Sequence, residues 1–243
     1  MVNFQNLFED RKKEIKDYFK LLEFLEEKVR DIDLDTGVNA FEKFFQTEEK
    51  VLEYQSVINI MKSNATLMLY NIIEFTIAGL INVIYDKICA ERLCYKSVSG
   101  ELQYIWRQHC LKDIKKLDAG FSSFVKKNEE MIKNIIEEKI IILKVEKTMS
   151  GGNLNGEIIV KTLRKHGIEF PVTLKEYRPD KFNFIKNKRN ELAHGESSFS
   201  EALRDKTIFE IIDYGNDVFS FLEYLINLFK EYMEKEKYKN CGV

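Results

Sequence analysis

Proline occurs at only two positions in this chain, Pro171 and Pro179, and both fall in one short connector, IEFPVTLKEYRPD (168–180). Proline removes a helix donor and clashes with the preceding turn, so no proline obstructs a helix on either side of that connector. Eleven glycines in 243 residues, with 32% charged and 44% hydrophobic side chains, favour long amphipathic helices over a turn-rich β chain. The expectation is an all-α fold in a single domain over 1–243, with an inserted or accessory segment around 97–150 as a further possibility.

The helical periodicity can be followed along the chain. Residues 3–30 repeat apolar side chains at Phe4, Phe8, Ile15, Phe19, Leu22 and Val29, a first helix packed along one face. DIDLDTG (31–37) is a break. From about Thr47 a second pattern runs to about Leu93, as one long helix or as two joined near Asn64, until SVSG (97–100) ends it. LQYIWRQHCLKDIKKL and SSFVKKNEEMIKNIIEEKIIIL read as further helices, although the β-branched run KIIILKV (139–145) also fits a short strand. MSGGNLNG (149–156) is the clearest loop. It precedes a short amphipathic helix, EIIVKTLRKHG, closed by Gly167, and the chain finishes in a helix from about Thr207 to Tyr238.

Charge and cysteine usage exclude several classes. A net charge of -2 and a pI near 6.1 argue against nonspecific coating of nucleic acid or an anionic membrane surface. The stretch 65–85 comes nearest to a membrane span, but Asn71, Glu74 and Asn82 interrupt it, so a buried core helix is expected and no membrane partner. Cys89, Cys94, Cys110 and Cys241 form no CxxC pair, and none has a histidine at zinc-ligand spacing. The amphipathic N-terminus carries acids from its ninth residue, unlike a secretory or transit segment. A reduced, cytoplasmic protein without metal or cofactor is expected. GGNLNG has neither the lysine nor the spacing of a phosphate-binding P-loop.

The segment DKFNFIKNKRNELAHGESSFS (180–200) stands apart. Read as a helix, Phe182, Ile185 and Leu192 point inward, and the slot that should complete their stripe is Arg189. Asn190 and His194 share one side of the same helix, and Gly195 is a residue that ends helices. A guanidinium in a core-facing slot costs several kcal/mol unless paired. The partner expected is Glu74, which with Asn71 interrupts the apolar stretch LMLYNIIEFTIAGL and needs buried partners of its own. Nine Lys and Arg lie between Lys161 and Arg189 against three acids, a local excess of +6. Lys186 and Lys188 are therefore candidate binding residues, and Glu196 a helix cap or a supporting group.

The spacing in RNELAH (189–194), with a polar residue directly after the arginine and four residues between arginine and histidine, resembles the motif of the HEPN superfamily (higher eukaryotes and prokaryotes nucleotide-binding). The following GESSFSE, the preceding GGNLNGEIIVKTLRKHGI and the pair Asn71/Glu74 are similar to stand-alone prokaryotic HEPN proteins of toxin or conflict-system type. The resemblance implies an α-helical bundle that forms a homodimer with its two motifs facing. It also implies, in many members, a metal-independent endoribonuclease acting on RNA, with an antitoxin or defence-system protein as a further partner.

The residue types suit that chemistry on their own terms. RNA carries its own nucleophile, the 2′-hydroxyl, so cleavage needs a base that works near neutrality and a cation for the phosphorane charge. Histidine and arginine supply those two functions, and Asn190 can orient the imidazole or bind a phosphate oxygen. The alternatives are a catalytically silent module binding nucleotide, RNA or protein, and a purely structural helical protein. His109 and His166 lie outside this constellation and read as structural or surface residues. Trp106 reads as core, and Tyr104 and Tyr177 as surfaces on which a base can stack.

Overall fold

The computed structural model describes residues 1–30, 46–47, 50–51, 54–111, 121–149 and 152–240. The DIDLDTG break, Cys241, the middle of MSGGNLNG and the end of the LQYIWRQHCLKDIKKL reading lie outside the described residues. Helices run over Val2–Arg30 (α1), Tyr54–Ala90 (α2), Gly100–Leu111 (α3), Phe121–Ile136 (α4), Val145–Thr148 (α5), Gly156–Lys165 (α6), Pro179–His194 (α7) and Ile208–Glu234 (α8). The only extended ladder among the described residues pairs Gln46–Thr47 with Lys50–Val51. The fold is all-α, and the second helical pattern begins at Tyr54 and stays unbroken through Asn64.

By its contacts the chain forms two compact units. One comprises Gln5–Ile73 and Glu176–Phe221 and contains the whole of α7; the other comprises Met1–Phe4, Glu74–Lys175 and Leu222–Val243. Helices α2 and α8 each contribute to both, and the 97–150 segment belongs entirely to the second.

In the unit that carries α7, the first-helix stripe is buried as its spacing requires, through Phe8, Ile15, Phe19 and Leu22. The two helices come very close where α1 meets α8. A Cβ on Gly215 would lie 2.5 and 2.6 Å from two atoms of the Phe19 ring, so glycine is what lets that aromatic lie on the α8 backbone. Phe221 gathers Phe182, 5.2 Å away and edge-on, and Tyr177 at 5.4 Å. Burying side chains of this size contributes about 1.5–3 kcal/mol each.

The other unit is centred on the second half of α2, where Ile77, Leu80, Ile81 and Ile84 are fully buried with Leu102, Trp106, Ile159, Leu163 and Phe229. Helix α2 is long and apolar enough to cross a membrane, with a mean hydropathy of 1.8 in its richest window, and half of that window is buried inside the protein. This is the burial of a core helix.

The structure selects between the sequence alternatives at two places in this unit. The helix read from Ser122 to Leu143 stops at Ile136. Ile140 instead forms an antiparallel bridge with Cys94, backed by an Ile141 N–H bond to the Leu93 carbonyl at 3.0 Å. The β-branched run thus adopts its extended alternative. His166, placed by sequence among structural or surface residues, is buried. Its Nδ1 faces the Thr162 carbonyl at 2.7 Å, its Nε2 lies 2.7 Å from the Tyr85 hydroxyl, and its own carbonyl accepts from Tyr232 at 3.0 Å. A carbonyl only accepts, so the proton sits on Nδ1 and Tyr85 donates to Nε2. Burial pushes this imidazole down to about 4.

Candidate functional site

Helix α7 begins as its sequence demands, with Pro179 at the first helical position. It ends at His194 because Gly195 takes a left-handed conformation, φ 69° and ψ 24°. The Glu196 N–H reaches back to the Glu191 carbonyl at 3.0 Å and the Gly195 N–H to Leu192 at 3.3 Å, the glycine-terminated closure that satisfies last-turn carbonyls. Phe182, Ile185 and Leu192 are buried, so the inward stripe is as the spacing predicts.

Arg189, in the third slot of that stripe, is half-buried. Its guanidinium carbon lies 4.7 Å from the centroid of the Tyr70 ring, and its Nη1 donates to Asn190 Oδ1 at 3.0 Å. An aromatic face accommodates a guanidinium at a core edge because the ring quadrupole attracts it. Tyr70 carries no motif signature, and sequence reasoning missed it. The available signal was its place one helical turn before Glu74. Asn190 here orients the arginine, whereas the sequence offered it to the imidazole or to phosphate.

Glu74, the acid expected beside the arginine, holds a glycine of the loop before α6. Glu74 is half-buried and its Oε1 accepts from the Gly152 N–H at 2.8 Å, fixing the glycine loop at a residue with φ 80°. Asn71 is exposed, so its amide is hydrated and needs no buried partner; that part of the expectation is corrected.

The basic excess before the motif resolves into unlike groups. Lys181 is buried and ion-paired to both Asp213, at 2.5 Å, and Asp217 on α8, with the Tyr214 ring 5.1 Å away. Burial disfavours its charge, but hydrogen bonds to Asp213 and Asp217 outweigh this and raise its pKa above the ordinary lysine value. It is a clamp between α7 and α8 and adds nothing to a basic surface. Lys188 pairs with Glu191 at 2.9 Å, and Glu191 also accepts from Ser197 at 2.5 Å. The Ser197 hydroxyl first, and Lys188 second, hold that carboxyl below its usual range. Lys186 makes a long contact of 3.4 Å to Asn187. His194 and Glu196 are exposed.

The segment after the motif is fixed by two adjacent residues that sequence reasoning also missed. Lys62 donates to the Leu203 and Lys206 carbonyls at 2.9 and 2.6 Å, and Ser63 to the Phe199 carbonyl at 2.7 Å. A buried ammonium thus closes the turns leading into α8, whose start is a capping box. The Thr207 N–H donates to Glu210 at 2.8 Å and the Glu210 N–H to the Thr207 hydroxyl at 3.2 Å. Bonds from Thr207 first, then Lys206, hold the Glu210 carboxyl at about 2.

Among the described residues no group of three or more His, Cys, Asp or Glu side chains is arranged to hold a metal ion. A cavity of about 180 Å³ lined by His109, Cys110, Lys127 and Lys147, among others, lies in the other unit and includes no residue of the motif. The family model described as HEPN_MAE_28990:/-like HEPN matches residues 3–238. The comparisons with curated proteins and with solved structures gave no match. The match runs through both units and takes in the Arg189–His194 segment, so the chain belongs to this HEPN family.

Proposed function

We propose that the protein is a metal-independent endoribonuclease. The observation that carries this reading is the pairing, on one helix, of an exposed His194 at a glycine-stopped terminus with an Arg189 fixed from two sides by Tyr70 and Asn190. They stand five positions apart, about 7.5 Å along the helix axis and about 140° around it, so in this reading the long arginine side chain supplies the reach that brings both to one phosphodiester.

In the proposed reaction His194 removes the proton from the 2′-hydroxyl. The 2′-oxygen then attacks phosphorus, and the P–O5′ bond breaks to leave a 2′,3′-cyclic phosphate and a 5′-hydroxyl. Arg189 offers its outer N–H groups to the phosphorane oxygens, where fixed charge is most effective. The 5′-oxygen needs a proton, which the partner subunit's His194 in a two-fold dimer, or water, supplies. A cytoplasmic role in toxin–antitoxin or antiviral defence, with a protein partner restraining the nuclease, accords with this activity.

A second reading has one specific observation in its favour. Arg189 is already engaged by Tyr70 and Asn190, which suits a HEPN module that binds RNA, nucleotide or protein without cutting. Incubating purified protein with mixed RNA in EDTA, beside His194→Ala, separates the two. Cyclic-phosphate ends that vanish in the variant support the ribonuclease; intact RNA with wild-type protein overturns it.

A further inference from the structure

His194 and its neighbours Ala193, Gly195 and Glu196 are all exposed, so packing does little to fix the imidazole. The last turn of a helix is also where backbone hydrogen bonds open most readily. A general base has to stay within hydrogen-bond reach of the proton it removes, in a geometry held by its supports. The order that His194 needs must therefore come from the chain on either side of it.

Two half-buried residues supply that order. Glu191 and Ser197 bracket the four exposed positions, and the Ser197 hydroxyl donates to Glu191 Oε1 at 2.5 Å. The other carboxylate oxygen accepts from Lys188 at 2.9 Å, which fixes the rotamer that presents Oε1 to the serine. The Glu196 N–H bonds to the Glu191 carbonyl at 3.0 Å, so one residue grips the outgoing chain through main chain and side chain together. Just beyond, Ser63 holds the Phe199 carbonyl at 2.7 Å. The result is a closed turn with His194 inside it.

The charge of Glu191 sharpens the point. Ser197 first, and Lys188 second, hold its carboxyl below the usual range, so near neutrality it is an anion two positions from Arg189 and three from His194. A carboxylate beside a site for phosphate repels the substrate, a cost that a helix end closed by Gly195 alone would avoid. Lys188 offsets the repulsion, and the bond to Ser197 is what the acid contributes.

We propose that Glu191 and Ser197 are positioning residues for His194, closing the turn that holds its imidazole at the 2′-hydroxyl of the RNA. This rests on the ribonuclease reading above for what the imidazole does. The turn itself is tested without it.

The full chain is compared with Ser197→Ala, Ser197→Thr and Glu191→Ala in two measurements, steady-state cleavage of a labelled RNA and hydrogen exchange of the Gly195 and Glu196 amides by NMR. Ser197→Ala should speed exchange of both amides about tenfold or more, because a hydrogen bond to a charged acceptor is lost, while amides in the core of α2 stay protected. Its kcat should fall about ten- to a hundredfold with KM within about twofold, as misplacement of a reacting group does. Ser197→Thr keeps the hydroxyl and should restore both kcat and slow exchange. Ser197→Ala combined with Glu191→Ala should cleave no more slowly than Glu191→Ala alone, since the two residues act through one bond.

Unchanged exchange in Ser197→Ala overturns the proposal, as does an unchanged kcat in a protein that cleaves RNA. A loss confined to KM overturns it too, because Ser197 then touches the RNA itself. So does a Ser197→Thr variant as slow as Ser197→Ala. If the wild type leaves RNA uncut, the ribonuclease reading falls, and the exchange measurement alone decides whether this bond orders the turn around His194.

Discussion

Arg189 lies over the ring of Tyr70, with 4.7 Å from guanidinium carbon to ring centroid. The pairing gives the out-of-place cation of α7 an apolar-compatible seat. It predicts that Arg189→Lys, which keeps the charge but loses the flat stacking surface, reduces RNA cleavage by about tenfold or more, since the two cations are not interchangeable at a stacked site. A double-mutant cycle between Arg189→Ala and Tyr70→Leu, read by urea unfolding, should give a coupling of about 0.5–2 kcal/mol. Arg189→Ala alone should cost an amount in that range. A loss of roughly 3–5 kcal/mol would instead be the signature of a stranded buried carboxylate, as expected if Glu74 pairs with it.

His194 is exposed at a helix end, so its side chain contributes little packing. His194→Ala should change stability by no more than about 0.5 kcal/mol while cutting cleavage about a hundredfold or more, as removal of a general base does. A variant that melts many degrees lower, or one that cleaves at the wild-type rate, would remove the catalytic assignment.

The buried imidazole of His166 fixes a pH dependence of stability. Its folded-state value of about 4 lies below the 6.5 of a free histidine, so between those values the unfolded chain binds a proton that the folded chain refuses. Stability therefore falls as pH drops below about 6.5, and the loss saturates below about 4 at roughly 3 kcal/mol from this residue. His166→Gln, which cannot take up that proton, should flatten this part of the urea-unfolding profile; an unaltered slope would rule the residue out as its source.

Much of the fold was legible because its signals are local. The stripe Phe8, Ile15, Phe19 and Leu22 follows from spacing alone, as do the stop at Gly195 and the closure at Gly167, where the Ile168 N–H returns to the Leu163 carbonyl at 3.0 Å. What was hidden depends on pairs distant in sequence. Lys181 counted as one more surface base until Asp213 and Asp217, more than thirty residues later, were found around it. Lys62 drew no reading at all, because its reason lies in carbonyls at 203 and 206. Tyr70 looked like any core aromatic, because a ring's role as a seat for a cation has no sequence period.

The capping box at the start of α8 gives a stability prediction away from the site. Thr207→Ala removes the hydroxyl that accepts from the Glu210 N–H and should cost about 1 kcal/mol, with Thr207→Ser close to neutral. Thermal unfolding measures both, and equal effects of the two substitutions would argue against the cap.

A two-fold dimer that brings the motifs together is the proposed assembly. Light scattering at micromolar concentration should report twice the chain mass. Mixing inactive His194→Ala with inactive Arg189→Ala should restore partial cleavage if each site draws on both chains; a strictly monomeric active enzyme would dismiss shared proton transfer.

The grip of Glu74 on the glycine loop acts through a main-chain N–H, at a residue whose φ of 80° suits glycine. Such an anchor recognises the path of the backbone and is indifferent to the side chains around it. Any residue placed at 152 meets that conformation first, so even a small, neutral replacement such as Gly152→Ala loosens the attachment through the main chain before its side chain touches anything.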